Sequence, residues 1–295
     1  MIVAGGSGWI PLVKRIGPAL LGLLVYDVGV TLLYVYHELN WLSVDALPLP
    51  LLGSALGVIL GLRNSLAYAR WWEARTLWGA AVNNSRSLVR ALLWVMPDSP
   101  RSREVGYMQI AWAHALRCRL RKQDPWDDIA PFVGAAVLAR LRLAVNPATA
   151  LTAEQARVIG QAVRDGTIDT VQAAALDRTM SDVANAQGGL ERIANTPLPR
   201  HLDDLPTLFV LAYCLLLPVG MVSDLGVMTP LGSSFLGMIF LALDRIGRDL
   251  EAPFALTVHD VPLSSITRTI EIDLRQMLGD TDVPKPLTPV GNVLS

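Results

Sequence analysis

The side chains that most often carry metal or covalent chemistry are sparse and scattered in this sequence. Its four histidines occur singly, and its two cysteines, Cys118 and Cys214, lie in a basic segment and in an apolar run. The sequence contains neither an HExxH nor a CxxC spacing, and no nucleophile, base and orienting group can be assembled from it. We therefore expect no metal site, no disulfide framework, no cofactor and no enzymatic activity.

One ionisable residue is notable for its surroundings. Asp27 lies near the centre of the apolar segment 16–36. A central aspartate costs roughly 3 kcal/mol on an insertion scale, while each of about eleven Leu, Ile and Val residues returns about 0.3 to 0.6 kcal/mol. The segment can therefore still span a bilayer, with the acid facing protein or water. The sequence leaves open whether Asp27 is functional or is a satisfied helix contact.

The composition indicates a membrane protein. Hydrophobic residues make up 52% of the 295 residues and charged residues 17%, and the mean hydropathy is +0.39. Because a soluble domain carries about 25% charged residues, part of this surface is expected to face a lipid bilayer. The net charge of −1 disfavours nucleic acid as a partner, since phosphate binding needs an excess of clustered cations.

Four segments are apolar enough to predict membrane spans. Residues 205–243 contain one ionisable residue, Asp224, which divides them into two uncharged runs of about 19 residues, or about 28 Å of helix each. These runs predict a helical hairpin with Asp224 at its turn, and a buried hairpin in a soluble helical protein is the alternative. Residues 16–36 and 46–62 are the other two predicted spans.

Basic residues flank these spans on one side. They precede the first and third spans and follow the second and fourth, so the positive-inside rule places these flanks and both termini in the cytoplasm. We therefore predict a multi-pass protein of the inner membrane. The flanking residues are Lys14, Arg15, Arg63, Arg70, Arg75, Arg200, Arg245 and Arg248.

The stretch between the second and third spans is far longer than a connecting loop. Its helical periodicity, without strand alternation or internal repeats, predicts an all-helical cytoplasmic body. Ser99 with Pro100 predicts one helix start, and Thr152 with Gln155 predicts a capping box. We expect Gly166 to end a helix. A further helix is predicted to cover residues 170–187 and to stop at the two following glycines. The basic cluster Arg117, Arg119, Arg121 and Lys122 is interpreted as a solvated helix end, with a lining that concentrates anions as the alternative.

These observations predict an all-α chain of five parts. The parts are residues 1–15, an N-terminal cytoplasmic segment; 16–96, two transmembrane helices of which the second extends into the cytoplasm; 97–204, a cytoplasmic helical region; 205–250, a transmembrane hairpin; and 251–295, a cytoplasmic C-terminal segment.

The second span carries two parallel stripes of small or uncharged residues. Gly53, Gly57 and Gly61 recur every four residues and predict a smooth face that another helix can approach closely. The adjacent stripe could form a narrow apolar ring if several copies surrounded an axis. By spacing alone, a packed core stripe remains the alternative. This adjacent stripe consists of Ser54, Val58 and Leu62.

The segment that follows carries a family resemblance. Its distinctive residues are Gly61, Leu62, Arg63, Asn64, Ser65, Tyr68, Arg70, Glu73, Arg75, Trp78 and Gly79. This pattern resembles the signature of the bacterial branch of the bestrophin family. Further similar stretches, in family order, occur at residues 121–125, 188–192, 196–197, 228–230 and 251–254, the last with Pro253 and Phe254, and at 260–263.

The resemblance implies a homopentamer of four-span subunits around one central pore. Carried over by position, Ser54, Val58 and Leu62 form a neck, and Val171 forms a cytoplasmic aperture. The family has large apolar or aromatic side chains at the three neck positions, so Ser54 implies a wetter outer ring. The implied function is passive conduction of small monovalent ions, chloride by resemblance. A sodium-selective channel of the same fold and an ion-coupled secondary transporter are the alternatives.

The resemblance also raises the question of calcium. Animal members are calcium-activated chloride channels whose calcium clasp is an acidic run after the last span. Residues 255–260 contain one carboxylate, Asp260, where a calcium site needs several oxygen ligands. We therefore do not expect calcium activation, and the sequence identifies no soluble cytoplasmic partner.

Overall fold

The structure is a computed structural model that describes residues 9–44, 47–257 and 259–289. These residues form helices and no strand, which confirms the predicted all-α class. The helices are α1 (Trp9–Tyr36), α2 (Leu49–Val95), α3 (Pro100–Leu120), α4 (Trp126–Ile129), α5 (Ala135–Leu141), α6 (Pro147–Arg164), α7 (Thr170–Asn195), α8 (Arg200–Leu225), α9 (Thr229–Glu251) and α10 (Leu263–Met277).

The chain forms two compact units. The first, here called the membrane unit, comprises the described residues of Gly5–Trp71 and Pro197–Ala252. The second, here called the helical body, comprises Trp72–Thr196 and the described residues from Pro253 onward. Helix α2 belongs to both units. Residues 1–8 of the predicted N-terminal segment, residues 45 and 46 at the start of the second predicted span, and residues 290–295 lie outside the described residues.

Within the described residues, three helical segments are long and apolar enough to cross a membrane: Leu12–Tyr36, Leu49–Val95 and Asp204–Glu251. A 3-10 turn at Gly226–Met228 divides the last segment into α8 and α9, which pack against each other as a hairpin. Gly226 has a φ of 50°, a conformation that glycine adopts without steric cost. The chain therefore reverses just after Asp224, close to the predicted turn.

The core of the membrane unit lies between α2, α8 and α1. Leu56 and Leu60 of α2 are buried in one cluster with Val210 and Leu217 of α8 and Leu23 of α1. Helix α1 also packs along α9. Large apolar side chains on the opposite faces of α1, α2 and α9 remain exposed, and such extensive apolar surface is typical of contact with lipid or with other subunits.

Helix α3 is the centre of the helical body, packed against α4, α6, α7 and α10. The side chain of Trp112 is fully buried, and its indole N–H donates to Gln187 Oε1 at 2.8 Å. The Gln187 amide then donates to Thr149 Oγ1 at 2.8 Å. These bonds satisfy polar groups inside the body and join α3, α6 and α7.

Helix starts in the body agree with the sequence in one case and differ in another. Ser99 caps α3 by accepting a hydrogen bond from the Arg101 N–H at 3.3 Å, as predicted. The capping box predicted at Thr152 is wrong, because α6 already begins at Pro147 and is capped by Asn146. Thr152 lies inside the helix, where its hydroxyl donates to the Thr149 carbonyl at 2.8 Å.

The helix ends also differ in part. Gly166 follows the end of α6 with a φ of 69°, which confirms the predicted stop. The end predicted at Gly188 and Gly189 is wrong, since α7 continues to Asn195. A Cβ on Gly189 would lie 2.8 Å from the Leu77 side chain, so this glycine allows close packing within a continuous helix.

The basic cluster near the end of α3 is not a solvated helix end, as the sequence had suggested. Arg117 pairs with Asp128 at 2.5 Å, and Arg119 pairs with Glu191 at 3.2 Å. Arg121 donates to Ser264 Oγ at 2.7 Å. Burial and the neighbouring Arg117 charge lower the pKa of Arg121. The cluster therefore links α3 to the elements around it.

Candidate functional site

Helix α2 presents an uncharged face that this chain leaves open. Val58 and Leu62 are 64% and 63% exposed, and Ser54 on the same face is exposed with its hydroxyl donating to the Leu51 carbonyl at 2.8 Å. The opposite face carries the buried Leu56 and Leu60. The structure thus places the three predicted neck residues together on one solvent-accessible stripe, here called the α2 stripe.

The glycines beside this stripe behave differently from one another. A Cβ on Gly53 would lie 2.5 Å from the Tyr213 hydroxyl oxygen, and that hydroxyl donates to the Leu49 carbonyl at 3.3 Å. Glycine at this position therefore permits the predicted close approach of α8. A Cβ on Gly57 or Gly61 would have no described atom within 4 Å, so among the described residues the predicted contact forms at Gly53 alone.

A buried ion pair fastens α2 to α9. The guanidinium of Arg63, 3% exposed, donates to Asp244 Oδ1 at 2.6 Å and to the Asp244 carbonyl at 2.9 Å. The other carboxylate oxygen pairs with Arg248 at 2.6 Å, and Thr207 donates to Oδ1 at 2.9 Å. Because an isolated buried charge is costly, these partners are needed together.

The remaining signature residues of the membrane unit reinforce the same junction. The Asn64 amide donates to the Leu243 carbonyl at 3.0 Å, and the side chain lies directly against Gly247, where a Cβ would not fit. Arg70 donates to the Glu251 carbonyl at 3.0 Å. Glu251 is the last residue of α9, so Arg70 satisfies a carbonyl that has no helical partner. These residues hold α2 in place.

Signature residues of the helical body have packing roles. Glu73 pairs with Arg192 of α7, Trp78 is fully buried, and Phe254 is buried. The Pro253 carbonyl accepts from the Val261 N–H at 3.1 Å. The other two signature positions are Gly79 and the exposed Arg75, whose guanidinium nitrogen would lie 4.0 Å from a Cβ on Gly79.

Val171 occupies the first turn of α7 and is 77% exposed. Asp169 accepts a hydrogen bond from the Gln172 N–H at 2.8 Å, and the Gln172 side chain accepts from the Asp169 N–H at 3.0 Å. This capping box, which our sequence reasoning missed, fixes the start of the helix. The Val171 side chain is thus displayed from a rigid position.

Asp27 is fully buried between α1 and α9. Its Oδ2 accepts hydrogen bonds from Ser233 at 2.6 Å and Ser234 at 2.7 Å, whereas its Oδ1 has no hydrogen-bond partner among the described residues. The two serines make Asp27 a helix contact. The sequence offered no signal for these partners, since they lie more than 200 residues away.

The region after α9 contains no assembled metal site in the part of the chain that the structure describes. No group of three or more His, Cys, Asp or Glu side chains there is suited to a metal ion. Asp260 is buried and accepts from the Thr257 hydroxyl at 2.6 Å. The Asp260 carboxylate therefore forms a hydrogen bond within its own loop. Residue 258 of that loop lies outside the described residues.

Comparison with known proteins identifies the family. Residues 10–276 match the family described as Bacterial/Fungal Bestrophin protein. The chain belongs to the bestrophin family. Membership confirms the resemblance predicted from the sequence, and together with the names of the relatives below it confirms the prediction that the chain is not an enzyme.

Two curated relatives illustrate the similarity. The voltage-dependent anion channel-forming protein YneE of Escherichia coli K12 is 33% identical over 276 residues, covering 94% of this chain and 91% of that protein. The voltage-dependent anion channel-forming protein mll4386 of Mesorhizobium japonicum is 35% identical over 275 residues, covering 93% and 88%.

A solved bestrophin has the same fold. The crystal structure of a bacterial Bestrophin homolog from Klebsiella pneumoniae matches with a TM-score of 0.86 and 31% identity. The match covers 89% of this chain and 98% of that one. The arrangement of helices in this bestrophin is therefore that of the solved homolog over nearly its full length.

Proposed function

We propose that this bestrophin is an anion channel whose subunits, five per assembly, surround one central pore. The observation that best supports this proposal is the α2 stripe, an exposed uncharged face of the helix. The signature residue Arg63 fixes this helix to α9. The curated relatives named as anion channel-forming proteins support anions as the conducted species. No covalent step is involved.

The α2 stripe is proposed as the neck of the pore. Five copies of Val58 and Leu62 would form two apolar rings, which resist ion passage by excluding water. Ser54 would form the outer ring. Ser54 donates its hydroxyl hydrogen to the Leu51 carbonyl of its own helix. The side chain is therefore polar, but its O–H is not free to donate to a passing anion. The proposed neck therefore has a hydrated outer ring above two apolar rings that exclude water.

Val171 is proposed as the cytoplasmic aperture. Its exposure and the rigid helix start beneath it support this role. A ring of valines carries no charge, so it would limit the passing ion by size and dehydration and not by its sign.

The proposed topology has four spans, with α8 and α9 as two of them and both termini in the cytoplasm. The packed α8–α9 hairpin supports the two separate spans. The five-part division predicted from the sequence, location in the inner membrane and independence of calcium belong to the same proposal. The cations at the start of α1 and the end of α9 support the orientation.

The function is tested by the reversal potential of purified protein in planar bilayers under a sodium chloride gradient. We expect a reversal near the chloride equilibrium potential that micromolar calcium does not alter. A reversal near the sodium potential would identify the sodium-selective alternative. A bilayer without current from well-folded protein would favour an ion-coupled transporter.

The aperture is tested by a matched pair of valines in the helical body. Val171→Ala is expected to raise conductance or change relative anion permeability at least two-fold. Val145, 92% exposed, provides the control Val145→Ala, which should leave both unchanged. Equal effects of the two variants on conductance and permeability would exclude Val171 from the pore.

The number of subunits is tested separately by chemical cross-linking in detergent. Cross-linking that stops at dimers would contradict the pentamer.

A further inference from the structure

One end of the membrane unit brings cations of α1 and α9 to a shared carboxylate. Arg15 of α1 and Arg245 of α9 both pair with the same oxygen of Asp249, at 2.8 and 3.1 Å. Lys14 beside them is exposed and makes no ion pair with a described residue. Two arginines therefore share one carboxylate oxygen, and Lys14 adds a third cation next to Arg15 in α1. Asp244, five residues earlier in α9, is itself shared by two arginines.

One hydrogen-bond donor of this cluster has no acceptor among the described residues. The Nε of Arg245 is buried and has no hydrogen-bond partner in the described structure. A buried N–H without an acceptor costs free energy. Arginine presents its donors in a planar fork suited to the oxygens of a phosphate group. The chemistry of the cluster is thus that of a site for a phosphate-bearing anion.

The neighbouring surface indicates where that anion comes from. Lys14 lies on the same face of α1 as the exposed apolar Leu21, Val25, Val28 and Leu32, since these positions are spaced by three, four or seven residues. Lys14 and Leu32 are about 27 Å apart along the helix, close to the thickness of a bilayer core of about 30 Å. The cation is therefore placed at headgroup depth on a lipid-facing row.

We propose that Lys14, Arg15 and Arg245 form a binding site for the phosphate headgroup of an anionic phospholipid, whose acyl chains lie along the exposed row of α1. The lipid phosphate would add negative charge beside Asp249 and accept hydrogen bonds from the partly exposed guanidinium of Arg245. This site is separate from the α2 stripe, because α1 packs on α8 and α9 and carries none of the stripe residues.

The test measures lipid binding by native mass spectrometry of purified protein titrated with phosphatidylglycerol or phosphatidylcholine. We compare wild type with Lys14→Gln, which removes no contact within the described residues, and with the double variant Lys14→Gln/Arg245→Gln, in which Arg15 still neutralises Asp249. Lys285→Gln, at an exposed lysine of the helical body, is the matched control.

We expect the apparent affinity for phosphatidylglycerol to fall about five-fold for each cation removed. Phosphatidylcholine binding and the Lys285→Gln control should not change. Unaltered phosphatidylglycerol binding by the double variant, with an unchanged melting temperature, would overturn the proposal. Inorganic phosphate that displaces phosphatidylglycerol at equal concentration would also overturn it, since the site would then bind a soluble anion without need of acyl chains.

Discussion

Helix α9 is joined to its neighbours by a buried carboxylate near each end, and the two junctions differ in chemistry. Near its start, Asp27 of α1 accepts from two serine hydroxyls. Near its end, Asp244 is paired with Arg63 of α2 and with Arg248. The first junction uses neutral partners and the second uses charged ones.

The difference determines whether each junction requires a negative charge. A hydroxyl donates to an amide oxygen much as it does to a carboxylate, so the Asp27 junction needs an acceptor and not a charge. A buried guanidinium without its carboxylate leaves an uncompensated charge, so the Asp244 junction needs the ion. The charged junction is the one that holds α2, the helix that carries the proposed pore face.

The largest effect is expected from Asp244→Asn. Losing the carboxylate removes the negative charge that the buried Arg63 contacts at 2.6 Å and that Arg248 shares, which costs about 3–5 kcal/mol of stability. The melting temperature in detergent and the yield of the intact oligomer measure this loss. Asp224→Asn, at an exposed acid of α8, is the control. If the two variants had the same melting temperature, the ion pair would not be what holds α2 in place.

A smaller, graded effect is expected at the neutral junction. Asp27→Leu removes the acceptor of Ser233 and Ser234 and should cost about 1–3 kcal/mol, whereas Asp27→Asn keeps an acceptor and should cost less than about 1 kcal/mol. Thermal unfolding of the two variants in parallel tests the grading. Equal losses would show that the negative charge of Asp27 is required, which would remove the contrast between the two junctions.

The smallest effect is expected for a partly exposed ion pair in the helical body. Arg140 donates to Glu154 at 2.9 and 2.7 Å, and these hydrogen bonds, with the charges of Arg140 and Arg157, outweigh burial and lower the pKa of Glu154. A lowered pKa stabilises the fold above the unfolded value of about 4.3, and this stability is lost as pH falls through the folded pKa.

Glu154→Gln should therefore cost about 1 kcal/mol at neutral pH, after allowance for the solvent exposure of both arginines. The difference from wild type should shrink as the pH falls below the unfolded value of about 4.3, and it should vanish below the lowered folded pKa, where the wild-type carboxylate is protonated. Urea unfolding at several pH values measures this trend. Glu104→Gln, at an exposed acid of α3, is the control, and a pH-independent difference would contradict the pairing.

Features encoded in continuous stretches were accessible from the sequence. The hairpin of α8 and α9 follows from two uncharged runs on either side of Asp224, and the Ser99 cap follows from a short local pattern. The α2 stripe was found because helical spacing places residues four apart on one face. The family was found because its signature residues occur together in order.

Features that depend on distant partners were not accessible. The Arg63–Asp244 pair joins residues 181 positions apart, and no local pattern connects them. The α7 glycines predict a helix end because glycine weakens an isolated helix, whereas close packing of Gly189 against Leu77 keeps the helix continuous. The basic cluster at the end of α3 has no acidic partner nearby in the same helix, because Asp128 and Glu191 lie on other elements.

The central claim is that the α2 stripe lines the conducting pathway, and two equally exposed valines test it most directly. Val58 on α2 and Val25 on α1 are 64% and 65% exposed, and the native cysteines are buried. We would record bilayer currents of Val58→Cys and Val25→Cys before and after adding an anionic thiol-reactive reagent. We predict a large, lasting fall in current for Val58→Cys and none for Val25→Cys. Equal responses, or a response of Val25→Cys alone, would contradict the account.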